Sequence, residues 1–424
     1  MKISLSSIVG GTVFLSFFHT VLRLSPASPI SGFVAISPAL FVVLILRSRH
    51  ARLSFLLYLA LTFYSLMATF VFSQGYEHFL VMHFHILKIF ILFTASVYFI
   101  TCRGGDAFFS IVRTFFFVSL IVAFFERFTD IHMPNVNDVY APYTMYSFFW
   151  NQNEFATGIV AFLPIYLALE KNKIFKALVV ISVAYIVYHN DAKTASLALI
   201  LAGVLWFLAV SVYRRAMLFI SATLLSFLIG LGFFHELPLP FKNYSYTIGD
   251  VIYEPLYSVI TLTPLSDTGG SLITRINAMI YAIGALIDSY GLGIGAGNTI
   301  NLLTMPEYQL ISARSIHNIV VQFLAEFGFV AILFYSFLFL YYFRLFFSVN
   351  LKRGQLIQLI GIPVALVASG GSSVGIMSNY LFWVSVFLLY FVIGYKDYFQ
   401  NMNIKSLEPE SREKNFSMPL GYKQ

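Results

Sequence analysis

The stretch that decides the fold reads SIHNIVVQFLAEFGFVAILFYSFLFLYYF and occupies residues 315–343. At about 1.5 Å per residue, an apolar run of this length exceeds the roughly 30 Å needed to cross a hydrocarbon bilayer. Ser315 is predicted to cap this helix, which places His317 in its first turn, beside the positive end of the helix dipole. That position disfavours the imidazolium, so we expect a neutral His317 that is free to accept a proton near pH 7.

Two sets of residues on this helix are assigned structural roles. Counted at about 100° per residue, Gly328 and Ala331 lie below His317 on one stripe, and small residues there are expected to let a neighbouring helix approach closely. Gln322 and Glu326 point away from the stripe. An ionisable group at this depth is costly, so Glu326 is expected to be paired. The alternative is a histidine that snorkels at the interface beside a structural polar pair.

The composition of the whole chain is that of a polytopic membrane protein. Of 424 residues, 59% are hydrophobic and 11% are charged, and the mean hydropathy is +0.81. A soluble domain carries about 25% charged residues. The single cysteine, Cys102, excludes an internal disulfide framework and a cysteine-based zinc site. The formal net charge of +7 comes from basic residues scattered through short loops, which favours membrane topology over nucleic-acid binding.

Twelve membrane-spanning helices are predicted, which makes the chain an all-α integral membrane protein. The predicted spans are 5–22, 30–46, 53–73, 79–100, 107–125, 155–170, 177–189, 195–212, 216–234, 316–343, 357–373 and 376–395. With the N-terminus inside, nineteen of the 26 Lys and Arg residues fall on the inner side and six on the outer side. The positive-inside rule therefore predicts that both termini are cytoplasmic. The transmembrane domain covers 1–395, and the polar stretch 396–424 is expected to be a disordered tail.

Two outer segments are longer than a simple connection requires. They are 126–154 and the large loop 235–315 between the ninth and tenth spans. Positive charges are scarce on this side, which makes Lys193, Arg275 and Arg314 informative. These cations around a neutral His317 would suit a substrate that bears a diphosphate, because Arg and Lys clamp phosphate oxygens. The alternative role, anchoring a helix end at the headgroups, fits Arg275 least because it lies far from any predicted span.

The outer segments offer no pattern for a metal ion or a nucleotide. They contain no Asp-x-Asp pair or His/Asp cluster for a divalent cation. The glycine-rich run 291–298 matches no nucleotide fingerprint, since no strand precedes it and it faces outward; a tight turn is the simpler interpretation. We therefore expect no metal and no cofactor.

The stretch around His317 resembles the signature of the bacterial O-antigen ligase and polymerase superfamily. His317-Asn318, nine intervening residues and Gly328 are similar to that signature, and Ala331 stands where Gly, Thr or Tyr is usual. Arg275 precedes a helical stretch and a glycine turn, which is similar to the family's arginine-containing outer loop.

Two further motifs agree with this resemblance. Lys193 lies in the turn 191–195, at the place where the family usually has arginine. Asn151-Gln152-Asn153 resembles an Asn-x-Asn segment of the polymerase branch. Together the motifs cover about 150–345.

The resemblance implies a metal-independent, inverting glycosyltransferase at the periplasmic face of the bacterial inner membrane. The donor would be a glycan on undecaprenyl diphosphate, the acceptor a glycan or a lipid A core, and a chain-length regulator a further partner. His317 would activate the acceptor hydroxyl, while Arg275, Lys193 and Arg314 would hold the departing diphosphate. Three asparagines are assigned to sugar hydroxyls: Asn151, Asn153 and Asn318.

Three functions remain open at this point. The Asn-x-Asn segment and Ala331 favour a polymerase of oligosaccharide repeat units over a ligase that transfers the glycan to lipid A core. The third is a transporter or lipid-glycan flippase, for which Lys88, His83 and His85 in the fourth span are candidate sites. The two halves of the chain show no repeat symmetry, which argues against transport.

Overall fold

The computed structural model describes seventeen stretches of the chain. They are residues 4–17, 32–72, 76, 78–133, 143–149, 151–208, 211–230, 235–236, 247, 249, 253–265, 271–304, 316, 318–349, 351–370, 386–387 and 389–391. Within these stretches the backbone forms α-helices joined by turns and no β-strand. The predicted all-α class is confirmed for this part of the protein.

The helices follow the predicted spans closely. Nine coincide with the first nine spans: α1 Leu5–Phe17, α2 Gly32–Arg47, α3 Arg49–Phe72, α4 Phe79–Arg103, α5 Gly105–Thr129, α6 Gln152–Leu169, α7 Lys173–His189, α8 Lys193–Leu208 and α9 Val212–Gly230. The segment 235–315 contributes α10 Glu254–Thr261, α11 Ser271–Asp288 and α12 Asn298–Thr304. Two more coincide with the tenth and eleventh spans: α13 Ile319–Phe346 and α14 Arg353–Gly370. The twelfth predicted span lies mostly outside the described residues, and the tail 396–424 lies wholly outside them.

The outer surface of the helix bundle is apolar, as expected for a protein that faces lipid. By length and composition, four helices of the described residues can cross a membrane: Arg49–Phe72, Phe79–Arg103, Asp106–Thr129 and Ile319–Phe346. On α3, Phe63 and Phe70 expose 64% and 73% of their surface. Large apolar faces of this kind mark contact with lipid when they belong to helices long enough to span a bilayer. The protein is therefore an integral membrane protein.

The centre of the bundle is α6. Every residue from Glu154 to Tyr166 is buried, because α5, α7, α8 and α14 pack around this helix. A helix that is apolar on all sides needs such a complete shell of neighbours.

Three helices begin at the same end of the bundle. Short turns join α6 to α7 and α7 to α8, so these neighbours run antiparallel and α6 and α8 begin together. Arg215 lies at the start of α9, just after α8 ends, and its Nη2 donates to the carbonyl oxygen of Ser348 at 2.6 Å. Because Ser348 comes two residues after the end of α13, this bond brings the C-terminal ends of α8 and α13 together. Their N-termini therefore point to the same opposite face.

The start of α13 differs from the prediction. Asn318 caps it: the residue is extended, with φ −141° and ψ 106°, and its Oδ1 accepts from the backbone N–H groups of Val320 and Val321 at 3.1 and 3.2 Å. The prediction that Ser315 is the cap was wrong, because Asn318 is an equally good capping residue and stands directly before the apolar run. The helix therefore begins two residues after His317, which itself lies outside the described residues.

Candidate active site

The arginine-bearing helix α11 packs directly on α13. Ala278 and Ala282 of α11 are fully buried, and Ala325 of α13 exposes 1% of its surface. These three alanines form one apolar cluster with Ile316. Side chains as small as alanine let two helices approach closely. The position of α11 is thereby fixed relative to the start of α13.

A polar contact continues this interface towards the start of α13. The Nδ2 of Asn318 lies 3.5 Å from the Sδ of Met279. Met279 follows Arg275 by four residues, so the two side chains lie on the same face of α11. Ile316 and Asn318 both contact this interface, and His317 stands between them in the chain. Arg314 and His317 themselves are outside the described residues.

Arg275 carries a positive charge that nothing in the described ranges neutralises. Its side chain is half-buried, and no carboxylate in the described part of the protein forms an ion pair with it. Burial lowers the pKa of the Arg275 guanidinium from its usual range. An arginine nevertheless stays protonated in proteins, so the site offers a desolvated cation to an anionic ligand.

A second pair of motifs is joined by Asn190, a buried residue at the end of α7. Its Nδ2 donates to the carbonyl oxygens of Met145 and Gln152 at 2.8 and 3.2 Å, and its Oδ1 accepts from the backbone N–H of Met145 at 3.2 Å. These bonds hold the turn that carries Lys193 against the segment 151–153. Sequence analysis did not single out Asn190. The only indication of its role in the sequence is that it is a polar residue directly after an apolar span.

The asparagines predicted to bind sugar differ in their local roles. Asn151 caps α6, and its Oδ1 accepts from the backbone N–H of Asn153 at 2.8 Å. The half-buried side chain of Asn153 makes no hydrogen bond to any residue that the structure describes. Asn153 is thus better placed to bind a ligand than Asn151 or Asn318, whose oxygens cap helices. Lys193 is exposed at the first position of α8.

Glu126 orders the loop that leads into α6. Its carboxylate is fully buried, and its Oε2 accepts from the backbone N–H groups of Tyr146 and Ser147 at 2.7 and 2.6 Å. His132 lies beside it, with its Nδ1 3.7 Å from Oε1. Because the hydrogen-bonded residues come shortly before Asn151, Glu126 helps to position the Asn-x-Asn segment. The sequence could not reveal this, since the contact crosses from one element to another.

The glycine-rich turn 291–297 crosses α13 at Gly328, backbone against backbone. Gly328 has φ +46° and ψ −120°, which interrupts the helix. A Cβ on Gly328 would meet main-chain atoms of Gly291, Leu292 and Gly293, and a Cβ on Gly293 would lie 2.7 Å from the carbonyl oxygen of Glu326. The sequence predicted close approach at Gly328 by a neighbouring helix; what approaches instead is this turn.

The interruption of α13 frees backbone groups that the glycine turn then satisfies. The carbonyl oxygens of Ala325 and Glu326 accept from the N–H groups of Ile294 and Gly295 at 2.9 and 3.0 Å. The fully buried Glu326 side chain accepts at Oε1 from the hydroxyl of Thr299 and, at 2.9 Å, from the amide of Gln322. Glu326 is therefore paired at Oε1, whereas its buried Oε2 has no hydrogen-bond partner among the described residues.

The other side of the turn is held by α3. The Oγ of Ser65 accepts from the N–H of Ala296 at 2.8 Å and lies 3.1 Å from the Nε2 of His83. Asn298 donates to the hydroxyl of Thr69 at 3.1 Å. His83, which the sequence offered as a candidate transport residue, thus contacts the serine that holds the turn. Ser65 and Thr69, four residues apart on an apolar helix, are a signal that sequence analysis missed.

The arrangement favours the binding of anions at one face of the bundle. The N-termini of α6, α8 and α13 point to that face, and the positive end of each helix dipole attracts negative charge. Within the described ranges, no group of three His, Cys, Asp or Glu residues could hold a metal ion.

Residues 177–336 match the model of the protein family described as O-antigen ligase. The match covers more than a third of the chain. The matched stretch runs from α7 into α13 and includes Lys193, Arg275 and Gly328. The resemblance found in the sequence is thereby confirmed at the level of the superfamily.

One curated relative extends the match. The chain is 26% identical, over 290 residues, to the teichuronic acid biosynthesis protein TuaE of Bacillus subtilis strain 168. The aligned part covers 64% of this chain and 57% of that protein, so the chain spans little more than half of its relative's length. No solved structure matches the chain. The description of the family refers to the ligation of O-antigen, and the name of the relative refers to the biosynthesis of teichuronic acid.

Proposed function

We propose that the protein polymerises oligosaccharide repeat units carried on undecaprenyl diphosphate. The observation that carries the proposal is the Arg275 guanidinium, which no carboxylate in the described ranges neutralises. Arg275 lies on α11 beside the start of α13, one turn from Met279, the residue that Asn318 contacts. A diphosphate needs fixed cations when it departs, and a desolvated arginine binds its oxygens in a bidentate manner. Lys193 and Arg314 are proposed to assist Arg275 in this role.

His317 is proposed to be the general base. It would take the proton of the acceptor hydroxyl as the oxygen attacks the anomeric carbon of the donor. The bond from that carbon to the lipid diphosphate breaks, the configuration inverts, and the diphosphate leaves with its electron pair towards Arg275. Asn153 would hold a sugar hydroxyl. The cap formed by Asn318 fixes the backbone directly after His317.

The proposed topology has twelve spans with the active site on the periplasmic side of the inner membrane. The face to which α6, α8 and α13 present their N-termini is the face that the distribution of Lys and Arg assigns to the periplasm. The opposite end carries Arg215 and Arg344, as a cytoplasmic face would. Both termini are then cytoplasmic, and the loops 126–154 and 235–315 form the periplasmic surface.

The test is glycan transfer by purified protein with a synthetic lipid-diphosphate donor. Arg275→Ala is expected to lower the transfer rate by about 100- to 1,000-fold, the usual loss when a charge-stabilising group is removed. Arg275→Lys should retain part of the rate, and His317→Ala should abolish it. Arg214→Ala, which removes an exposed arginine at the opposite end, is the matched control. Full activity in Arg275→Ala would refute the assignment.

A ligase is the second candidate, because the matching family is described as O-antigen ligase. The glycan profile of a deletion strain separates the two. A core that carries one repeat unit indicates a lost polymerase, whereas a bare core with polymerised lipid-linked chains indicates a lost ligase. Transport of a lipid-linked glycan without any transfer in the purified assay would contradict both.

A further inference from the structure

A groove lies at the end of the bundle opposite the proposed active site. It has a volume of about 460 Å³ and lies between α1 and α5, with α4 as its floor. The size falls within the range of sites for small molecules. Most of the lining is apolar and comes from six residues: Gly10, Gly11, Phe14, Phe99, Ala107 and Ile111.

The mouth of the groove is polar and positively charged. Arg103, the last residue of α4, lines it together with Ser7. The Nε of Arg103 donates to the hydroxyl of Ser6 at 2.9 Å, and its Nη2 donates to the hydroxyls of Ser4 and Ser7 at 3.1 and 3.2 Å. These partners are neutral, and no carboxylate in the described ranges forms an ion pair with Arg103. The charge therefore remains available to an anion.

The depth of these groups in the membrane identifies the class of ligand. Arg103 ends a 25-residue helix long enough to span a bilayer, so it lies at the level of the lipid headgroups. Gly11 lies two turns inside α1, and a Cβ built on it would meet nothing within 4 Å. The groove thus extends from the Arg103 guanidinium at headgroup depth to an open apolar part at the depth of the acyl chains.

We propose that this groove binds an anionic glycerophospholipid of the cytoplasmic leaflet. Its phosphate would contact the Arg103 guanidinium and the hydroxyl of Ser7, while one acyl chain would lie along Gly11 against Phe99. Arginine binds a phosphate through two parallel hydrogen bonds, and serine hydroxyls can donate to the remaining oxygens. A headgroup with a net negative charge is preferred over a zwitterionic one, since Arg103 is the charged residue of the lining and pairs with no carboxylate in the described ranges.

The test is native mass spectrometry of the full-length protein, delipidated in detergent and titrated with dioleoyl phosphatidylglycerol or dioleoyl phosphatidylcholine. The wild type is expected to retain one phosphatidylglycerol at concentrations where phosphatidylcholine is lost. Gly11→Phe fills the apolar part of the groove and should weaken that binding by about tenfold or more. Gly203→Phe, on an α8 glycine whose Cβ would also meet nothing within 4 Å, is the matched control and should bind as the wild type does.

A second pair of variants tests the charge independently of the shape of the groove. Arg103→Gln should abolish the preference for phosphatidylglycerol, and Arg103→Lys should keep most of it. Equal binding by Gly11→Phe and Gly203→Phe, or an unchanged preference in Arg103→Gln, would overturn the proposal. Because the readout is lipid binding, the result is independent of whether the enzyme is a polymerase or a ligase.

Discussion

Replacement of Gly328 by alanine is expected to undock the glycine-rich turn from α13. An alanine would have to keep φ +46° and ψ −120°, a conformation that costs about 1–3 kcal/mol for a residue with a Cβ. Its methyl group would also meet main-chain atoms of Leu292 and Gly293, which cannot move aside as a flexible side chain would. Overpacking of this kind costs about 1–3 kcal/mol more. The sum, about 2–6 kcal/mol, is a large share of the stability of a typical domain.

The assay is a thermal melt of the purified protein in detergent, with glycan transfer measured on the same sample. Gly328→Ala should lower the melting temperature by about 2–7 °C, the shift that 2–6 kcal/mol gives in a chain of 424 residues, and should reduce transfer, because the turn follows α11 and packs on α13. Gly284→Ala is the matched control: its Cβ would meet nothing within 4 Å, and alanine in a helix is about 0.5–1 kcal/mol better than glycine. A Gly328→Ala protein that melts like the wild type and stays active would refute the reasoning.

Three further predictions concern the side chains that position the site. Asn190→Ala removes three hydrogen bonds and should destabilise the protein by about 2–3 kcal/mol with loss of transfer. The matched control is Asn172→Ala, which removes a helix cap at the other end of α7 and should cost about 1 kcal/mol while transfer stays intact. Glu126→Ala should speed amide hydrogen exchange in 143–149, whereas Glu126→Gln should restore protection, because an amide oxygen can still accept both N–H groups. Glu326→Gln should keep melting temperature and transfer close to wild type, because the partners at Oε1 need an acceptor and not a charge; Glu326→Ala should lose both. Abolished transfer in Glu326→Gln with an unchanged melting temperature would show a catalytic role instead.

The apolar runs were enough to predict most helices but not the helix caps and the polar contacts between helices. Each of the first nine predicted spans became a helix, since about twenty apolar residues have few other conformations available in a bilayer. The cap at Asn318 was missed because serine and asparagine have similar capping preferences, so the choice between two such residues depends on tertiary contacts such as the one with Met279. The hydrogen bonds of Asn190 were also missed because they depend on tertiary contacts: its partners lie 38 and 45 residues away in the chain.

The interruption at Gly328 shows a different limit. A stretch of uniformly apolar residues gives no periodic signal for a break, and one glycine in a helical pattern is usually tolerated. The pairing of that glycine with a run of glycines at 291–297 is visible only when the two backbones are seen together. The predicted roles of Arg275 and Lys193 concern chemistry and stay predictions, although the structure shows which elements hold both residues.

The bond between Ser65 and Ala296 has a consequence for biogenesis, because 231 residues separate its two ends. At about 5–20 residues per second, the ribosome completes α3 tens of seconds before the turn that covers it. During that interval the hydroxyls of Ser65 and Thr69 have no partner from the turn, and a polar group without a partner in hydrocarbon costs free energy. A chain that ends before residue 295 therefore lacks these partners for α3, and we expect it to be less stable in the membrane than the full-length chain.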